Sequence, residues 1–420
     1  MKPDTLPIVA SPTSRPRLRP IETIIVPDRR LGRALMLRDT QGVTSSHVVL
    51  PMELVPIVGR FNGLHTCEEI ARLASNETGE SVEVDLVVEV ATELEEALFV
   101  EGAPYRRERA RIEREFADAD VRPASHAGGA YHGEPAALAK YIDGECFGRT
   151  GGANGLAAEP GRLLGLVAPH IDPWRGARCY GEAYGVLAKA LPPEADTFVI
   201  FGTSHAPMRE PFALCRKAFD TPLGRLEADL ESIDAIAKAC DFDPYADQFN
   251  HKREHSLEFQ AVFLRHLLGG RKARIIPVLA GLNDQQSSGA SPSSARAVER
   301  FLDAVRKVVD TKNAVVIAGA DLAHVGPRFG DAKPFDEGER QALHETDRES
   351  LDHATRGDAE AFWRHVSGDL ETRRVCGLAP IYSLLRTLAP GTRGHLRHYE
   401  QNVDPDEGSI VSHAALGFYG

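Results

Sequence analysis

The sequence lacks long apolar runs, a regular cysteine spacing and any excess of positive charge. No apolar stretch in the 420 residues reaches the roughly 18 that a membrane-spanning helix requires. The first residues include no apolar segment of signal-peptide length, and the six cysteines form no CxxC pair. We therefore expect a cytoplasmic protein with reduced thiols and no membrane association.

The charge balance excludes a second class of function. The net charge is −12, and neutralising nucleic-acid phosphates requires clustered Lys and Arg. We therefore expect no nucleic-acid partner. Hydrophobic residues make up 42% of the chain and charged residues 26%, which is typical of a globular protein with a sizeable core.

Composition divides the chain into four segments. Residues 1–20 are rich in Pro, Ser, Thr and Arg, which predicts a flexible tail. Residues 104–123 are densely charged with mixed signs, which predicts a solvated helical linker. The two segments delimit a small N-terminal domain at 21–103 and a large domain at 124–420.

The small domain has the pattern of a β-hairpin followed by three short helices. The pattern consists of strands at Ala34–Met36 and Val48–Leu50, a turn at 39–42, and helices starting at Pro51, after the N-cap Thr66, and at Val84. This order, with "FNGLHTCEEIARLA" in the middle, resembles the PqqD-like winged-helix modules that bind peptides. The resemblance implies a peptide or protein partner for residues 21–103. The alternative is a structural appendage, because fold alone does not determine function.

The large domain alternates apolar strands with helical patterns. Strands are predicted at Leu163–Ala168, Thr197–Phe201, Ile275–Leu279 and Ala314–Ala318, and helices at Tyr180–Leu191, Leu226–Cys240, Leu257–Leu268 and Ala297–Val309. This order predicts an α/β fold with a central, mainly parallel sheet flanked by helices. The last two strands, near His395–Glu400 and Ile410–Leu416, are close in sequence and are predicted to be antiparallel.

Three histidines occupy the same position relative to predicted strands. His170 ends one strand, and His205 and His324 each follow another. Ligands in open α/β sheets bind beyond the carboxyl ends of the strands, so the three side chains are predicted to share one pocket. A single histidine at such a place is better explained as a structural residue, whereas three together favour a shared site.

Other polar residues accompany these histidines. They are Asp172, Ser204, Asp321, and the "EHSLE" residues Glu254, His255 and Glu258. The "EHSLE" segment is predicted to begin a helix, where free backbone N–H groups favour anions, although an ordinary capped helix has the same pattern. Asp172 either lines the pocket or shapes a turn.

Seven short motifs occur in an order that resembles one family. They are "ASHAGGAY" (124–131), "APH" (168–170), "GTSH" (202–205), "EHSLE" (254–258), "GADLAH" (319–324), "VCG" (375–377) and "YEQ" (399–401). Their order and spacing resemble the Memo family, called AmmeMemoRadiSam system protein B in prokaryotes. This family is similar to the class III extradiol (LigB-like) dioxygenases. The resemblance implies a functional association with a radical SAM protein and an AMMECR-type protein.

The resemblance also implies a metal site. By motif, His170, His205 and Cys376 are the ligand positions, and a cysteine replaces the carboxylate of the dioxygenases. Asp321 and His324 match the family's other polar pocket residues, and the dioxygenase analogy makes His324 the acid/base candidate. We expect Asp321, His324 and His255 to line one cavity as catalytic acid/base groups or as groups that orient the ligands. Without the resemblance, Cys376 would be interpreted as a buried apolar residue.

The donor set bears on the metal and the function. A thiolate is softer than a carboxylate, so the set favours iron or copper, with zinc as a further candidate, over magnesium or calcium. We expect metal-dependent redox or oxygenase-type chemistry on a small organic or peptidic substrate. The alternative is a non-catalytic protein that binds peptides or proteins and retains a dioxygenase-like pocket. His413 stands where the family usually has a tyrosine, which changes the pocket but not the three ligand positions.

Overall fold

A computed structural model describes residues 10–150 and 161–420, other than residues 29, 31, 40, 45 and 193. The chain divides into two compact units between Asp118 and Ala119. Residues 1–9 of the predicted tail and residue 40 of the predicted turn lie outside the described residues. No helix in the described part is long and apolar enough to cross a membrane.

The first unit combines a small antiparallel sheet with helices. Its elements among the described residues are β1 (Glu22–Asp28), β2 (Gly32–Arg38), β3 (His47–Pro51), α1 (Val55–Val58), α2 (Cys67–Thr78), α3 (Val84–Glu96) and α4 (Ala103–Asp118). The strands β1 and β3 both pair with β2, so the predicted hairpin is β2–β3 and β1 extends it. Thr66 caps α2 through a reciprocal hydrogen-bond pair with Glu69.

Two segments of the first unit differ from the sequence-based expectation. In the described part of the predicted tail, the N–H of Leu18 donates to Phe61 O, and Arg19 forms a buried ion pair with Asp39 at 2.8 Å. This part is therefore anchored, because a buried charge requires a fixed partner. The predicted linker is largely α4, which buries Tyr105 and Phe116 on one face and carries its charges on the other.

The second unit contains the large sheet. Its strands in the described part are β4 (Val121–Arg122), β5 (Leu163–Ala168), β6 (Thr197–Thr203), β7 (Phe212–Leu214), β8 (Ala218–Thr221), β9 (Gly224–Ala228), β10 (Arg274–Ala280), β11 (Val315–Gly319), β12 (Asp321–Val325), β13 (Arg393–Val403) and β14 (Ile410–Tyr419). Its helices are α5 (Pro135–Tyr141), α6 (Pro173–Ala190), α7 (Leu230–Ala239), α8 (His255–Leu268), α9 (Asn283–Ser288), α10 (Arg296–Lys312), α11 (Glu337–Thr355), α12 (Ala359–Ser367), α13 (Leu370–Arg373) and α14 (Leu378–Thr387).

The sheet is parallel at its centre, antiparallel at the margin formed by β12, β13 and β14, and mixed at the other margin. The strand order is β12-β14-β5-β11-β6-β10-β9-β8-β4, with β13 paired to β14 and β7 to β10. The central strands β5, β11, β6 and β10 run parallel, which confirms the predicted α/β fold. Residues of α6 and α8 belong to the core on one face, and residues of α10, α12 and α14 to the core on the other. Burial on both faces explains why these strands are continuous apolar runs.

The topology brings the ends of β5, β6 and β11 to one edge. Because these strands are parallel neighbours, the residues that follow them emerge together. Two glycines let the start of α8 approach this edge closely. A Cβ on Gly202 would lie 2.5 Å from Ser256 Oγ, and one on Gly319 would lie even closer to the Ser256 carbonyl oxygen. The first turn of α8 is therefore held against the strand ends.

Candidate metal centre

Three side chains from separate segments converge at this edge. His170 follows β5, His205 follows β6, and Cys376 precedes α14. The Cys376 Sγ lies 3.1 Å from His170 Nε2, and the rings of His170 and His205 are 5.1 Å apart between centroids. One donor atom from each of the three lies within 4.8 Å of the others, so the group could hold a metal ion.

The hydrogen bonds of His170 determine which nitrogen is free. Its Nδ1 lies 3.0 Å from the carbonyl oxygen of Gly319, which can only accept a hydrogen bond. Nδ1 therefore carries the proton in the neutral ring, and Nε2, which faces Cys376, is available as a ligand. The backbone N–H of His170 donates to Asp321 Oδ1 at 2.8 Å, which fixes the loop after β5.

Glu254 holds His205 in the same way. The His205 Nδ1 lies 3.0 Å from Glu254 Oε1, and the backbone N–H of His205 donates to Oε2 at 2.9 Å. Glu254 also caps α8 by accepting the N–H of Ser256 at 2.9 Å. This buried carboxylate therefore orients the ring and leaves Nε2 for a ligand role, while the His205 side chain remains 37% exposed.

His255, the first residue of α8, completes a cluster of imidazoles. Its ring stacks on His205 at 4.5 Å and lies 5.3 Å from His170. His205, Glu254 and His255 form a second group with donor atoms close enough for a metal. Because both oxygens of Glu254 already accept N–H groups, we assign this second group an orienting role rather than a metal site.

The charges at the site depend on one another. Burial opposes ionisation of Cys376, but the positive charges of His170 and His324 outweigh it and lower the pKa of the thiol to about 5. Burial also opposes protonation of His170, but the Cys376 thiolate and Asp321 raise the pKa of His170 to about 9. At neutral pH the pair is a thiolate beside an imidazolium. Binding a metal through both side chains would therefore release a proton from His170.

A bulge in β12 turns His324 to the same face as Asp321. The two residues are three apart, yet they oppose His413 and Val411, which are two apart on β14. The extra residue in β12 therefore places both side chains on one face of the sheet. Asp321 is 1% exposed, whereas His324 is half-buried. Its Nδ1 lies 3.2 Å from the carbonyl oxygen of Leu322, and its ring lies 5.1 Å from that of Phe329 between centroids.

Comparisons with known proteins agree with the motif order. The sequence model of the family described as "Memo-like protein" matches residues 122–417, which is more than half of the chain. The chain belongs to the Memo family. The match covers almost all of the second unit, hereafter the Memo domain, and includes the three converging side chains.

Relatives described as MEMO1 family proteins differ in how much of the chain they share. One from Aquifex aeolicus is 26% identical over 391 residues, covering 92% of this chain and 96% of its own. One from Methanosarcina barkeri is 26% identical over 302 residues, covering 70% of this chain and 99% of its own. The Aquifex alignment is longer than the Memo domain, so it extends into the first unit. A solved Escherichia coli K12 structure covers 61% of this chain and 99% of its own at 11% identity and a TM-score of 0.32.

Glu258, predicted as a pocket residue, anchors the segment 122–131 near the start of the Memo domain. The buried carboxylate is paired with Arg122 and accepts hydrogen bonds from Tyr131 Oη and from the backbone N–H groups of Ser125 and His126. It also contacts His126 Nδ1 at 3.0 Å, and the His126 ring lies 5.8 Å from that of His255. His126 therefore borders the imidazole cluster, although sequence reasoning did not select it. Its signal was the "ASHAGGAY" motif.

Two other predicted pocket residues have local partners. Asp172 caps α6 by accepting the N–H of Arg175 at 3.2 Å and also binds its guanidinium, which favours the turn alternative. The Ser204 hydroxyl donates to the carbonyl oxygen of Ala206 at 2.8 Å. Both side chains thus shape the loops that carry His170 and His205.

Proposed function

We propose that the Memo domain binds a transition metal through His170, His205 and Cys376 and performs metal-dependent redox or oxygenase-type chemistry on a small organic or peptidic substrate. The supporting observation is that both histidines have Nδ1 occupied by an acceptor, which leaves Nε2 for a ligand role beside a thiol of lowered pKa. This soft donor set fits iron or copper, with zinc as a further candidate. When bound, the metal supplies Lewis-acid or electron-transfer chemistry and leaves positions open for a substrate.

The surrounding side chains provide proton acceptors. Burial and the neighbouring His205 hold the pKa of His255 well below its usual range, so its ring is neutral. Its Nδ1 lies 3.4 Å from Glu254 Oε1, which leaves Nε2 to accept a proton from a bound substrate. His324 is the second acid/base candidate. Asp321 stays ionised beside His170, because the charge of that ring outweighs the effect of burial and lowers the pKa of the carboxyl.

Metal analysis tests this proposal directly. Protein purified without oxygen, or reconstituted under reducing conditions, should contain about one metal ion per chain. Cys376→Ser should lose most of it. Cys240→Ser is the matched control, because this thiol lies at the end of α7, where it donates to Ile236 O. If the wild-type protein holds no stoichiometric metal under either condition, the enzyme proposal has no basis.

A second candidate function is peptide or protein binding without turnover. In the first unit, β1 pairs with β2 alone among the described strands, and Ile25 on β1 is 49% exposed. The other edge of such a strand offers backbone groups to which an extended peptide can add. We propose this edge as the site for a peptide or protein partner. A radical SAM protein and an AMMECR-type protein are the first to test.

One experiment separates the two candidates. A library of peptides is captured by the full chain, and the captured peptides are incubated with metal-loaded protein, a reductant and oxygen. Mass spectrometry then reports whether the peptide has changed. Modified peptide supports the enzyme, whereas peptide recovered unchanged, with no oxygen consumed, supports binding without turnover. If no peptide is captured, the partner proposal for the first unit fails.

A further inference from the structure

A fully buried histidine stands beside the candidate metal centre without a hydrogen-bond partner. His413 on β14 is 0% exposed, and both its Nδ1 and its Nε2 lack a partner among the described residues. A neutral imidazole has one donor and one acceptor, and leaving both unpaired in the interior is costly. Such groups are usually satisfied by internal water.

The neighbours of His413 form a row across three strands. His413 is directly opposite Asp321 on β12 and directly opposite Glu400 on β13. Directly opposed residues point to the same face, and adjacent strands lie about 4.8 Å apart, so the three side chains form a line. His398 extends the line, with its Nε2 at 3.1 Å from Glu400 Oε2.

The row leads from the interior to solvent. Asp321 is 1% exposed, while the side chains of His398 and Glu400 are 14% and 35% exposed. At its inner end Asp321 accepts the N–H of His170, one of the candidate metal ligands. At its outer end the row reaches water.

The chemistry of the row favours water over a bound ion. Among the described residues, the groups close enough to share a metal ion include neither His413 nor Glu400. Burial lowers the pKa of His413 against the opposing effects of Asp321 and Glu400, while the charges of His398 and of Arg175 on α6 lower it further. The ring is therefore neutral and can both accept and donate a proton.

We propose that Asp321, His413, Glu400 and His398 line a hydrated proton path from the candidate metal centre to solvent, with an internal water on each side of the His413 ring. A proton taken up by the water beside Asp321 passes to the unprotonated nitrogen of His413: an O–H bond of the resulting hydronium breaks, an N–H bond forms, and neutral water remains. The N–H bond at the other nitrogen breaks, and that proton passes to the water beside Glu400. The neutral ring has then carried one proton outward and is left as its other tautomer, with the same number of protons.

The role of this path in proton transfer rests on the proposed function. His205 is 37% exposed, so the open side of the centre lies there. A substrate bound on that side would cover it. The row provides a separate route through which a proton can leave or enter while the open side is occupied, either by a substrate or by a zinc ion that enters there during loading.

Hydration of the row can be tested without any metal. An experimental crystal structure of the full chain should show a water within hydrogen-bond distance of each His413 nitrogen. In 15N-labelled protein, the ring N–H should exchange rapidly with solvent. If both nitrogens contact only apolar atoms, or if the ring N–H is protected, the proposal is wrong.

The transport role is tested by proton release during zinc loading, because zinc adds no redox chemistry. A pH indicator in a stopped-flow instrument follows the release. His413→Phe and His413→Gln should each bind zinc with wild-type stoichiometry but release protons about tenfold more slowly or worse. Glu400→Gln should act in the same direction, and His47→Gln in the first unit is the matched control.

The outcomes are distinguishable. If wild-type protein binds no zinc, the proposed metal function fails. The two hydration tests alone then support or refute the hydrated row. If both His413 variants bind zinc and release protons at the wild-type rate, the path is refuted. If one variant does not fold, as judged by near-UV circular dichroism, the other decides.

Discussion

The role of Glu254 gives the sharpest test of how the candidate centre is built. Its carboxylate accepts the Nδ1–H and the backbone N–H of His205 and also the N–H of Ser256 at the start of α8. Glu254→Gln keeps the size of the side chain but replaces one acceptor oxygen with an NH2 group. At least one of the three donors then faces another donor.

The size of the effect follows from these contacts. Removing a partner that orients a metal-binding histidine typically costs about 10–100-fold in metal affinity. This corresponds to about 1.4–2.7 kcal/mol. The weaker cap on α8 should also destabilise the fold by about 1 kcal/mol. We therefore expect Glu254→Gln to lower both metal affinity and the free energy of unfolding.

The decrease in the free energy of unfolding should depend on pH. The charge of His205 and the hydrogen bonds that this residue donates outweigh burial and hold the pKa of Glu254 well below its usual range. The stability it contributes is therefore fully present above the unfolded-state pKa of about 4.3 and is lost as pH falls through the folded-state value. The stability difference between wild type and Glu254→Gln should accordingly be larger at pH 7 than in strong acid.

Two measurements and one control complete the test. Zinc affinity is measured by competition with a chromophoric chelator, and stability by urea unfolding of the metal-free protein. Asp229→Asn is the control, because Asp229 is 1% exposed and caps α7 through Ser232 without contacting a histidine at the centre. Asp229→Asn should lower the free energy of unfolding without changing the zinc affinity. If Glu254→Gln binds zinc as tightly as the wild type, Glu254 does not hold His205 for a metal.

Three further predictions concern other parts of the chain. In metal-free protein, iodoacetamide should label Cys376 with a midpoint near pH 5, whereas the buried Cys146, whose pKa is raised by burial to about 12, should stay unlabelled by mass spectrometry. Glu258→Gln should lower the urea-derived free energy of unfolding by about 3–5 kcal/mol, because it leaves Arg122 buried without a counter-charge. A fragment of residues 119–420 should keep the wild-type metal content, since it contains the three candidate ligands and their core; loss of metal would show that the first unit is required.

The sequence predicted the centre of the sheet best. The prediction for β5 matches its observed bounds, and β6, β10 and β11 were found within two residues at each end. These strands are buried on both faces, so their apolar runs are unambiguous. The strands β7 to β9 were missed because they have only 3, 4 and 5 residues, respectively, too few for a clear pattern. The predicted helix at Leu226–Cys240 was too long: β9 occupies Gly224–Ala228, and Asp229 caps the helix after it.

The residues of the site could be predicted only where short sequence motifs identify them. His170, His205 and Cys376 come together as their motif positions indicated, but their use as ligands stays a prediction. The neighbours of His126 and His413 could not be inferred. Glu258, which holds His126, lies 132 residues away in the chain, and the place of His413 depends on cross-strand register and on the bulge in β12. Such non-local pairings have no periodic signal in the sequence.

The separation of the candidate ligands along the chain has a consequence for how this protein would acquire a metal. Cys376 and His170 are 206 residues apart, and each is held in place by strands or a helix that must already be assembled. A nascent chain therefore has no partial site to nucleate around an ion, unlike a zinc finger. The metal-free form should fold unaided at a rate independent of metal concentration. Metal delivery would then be the last step of biogenesis, open to exchange and to competition between ions in the cell.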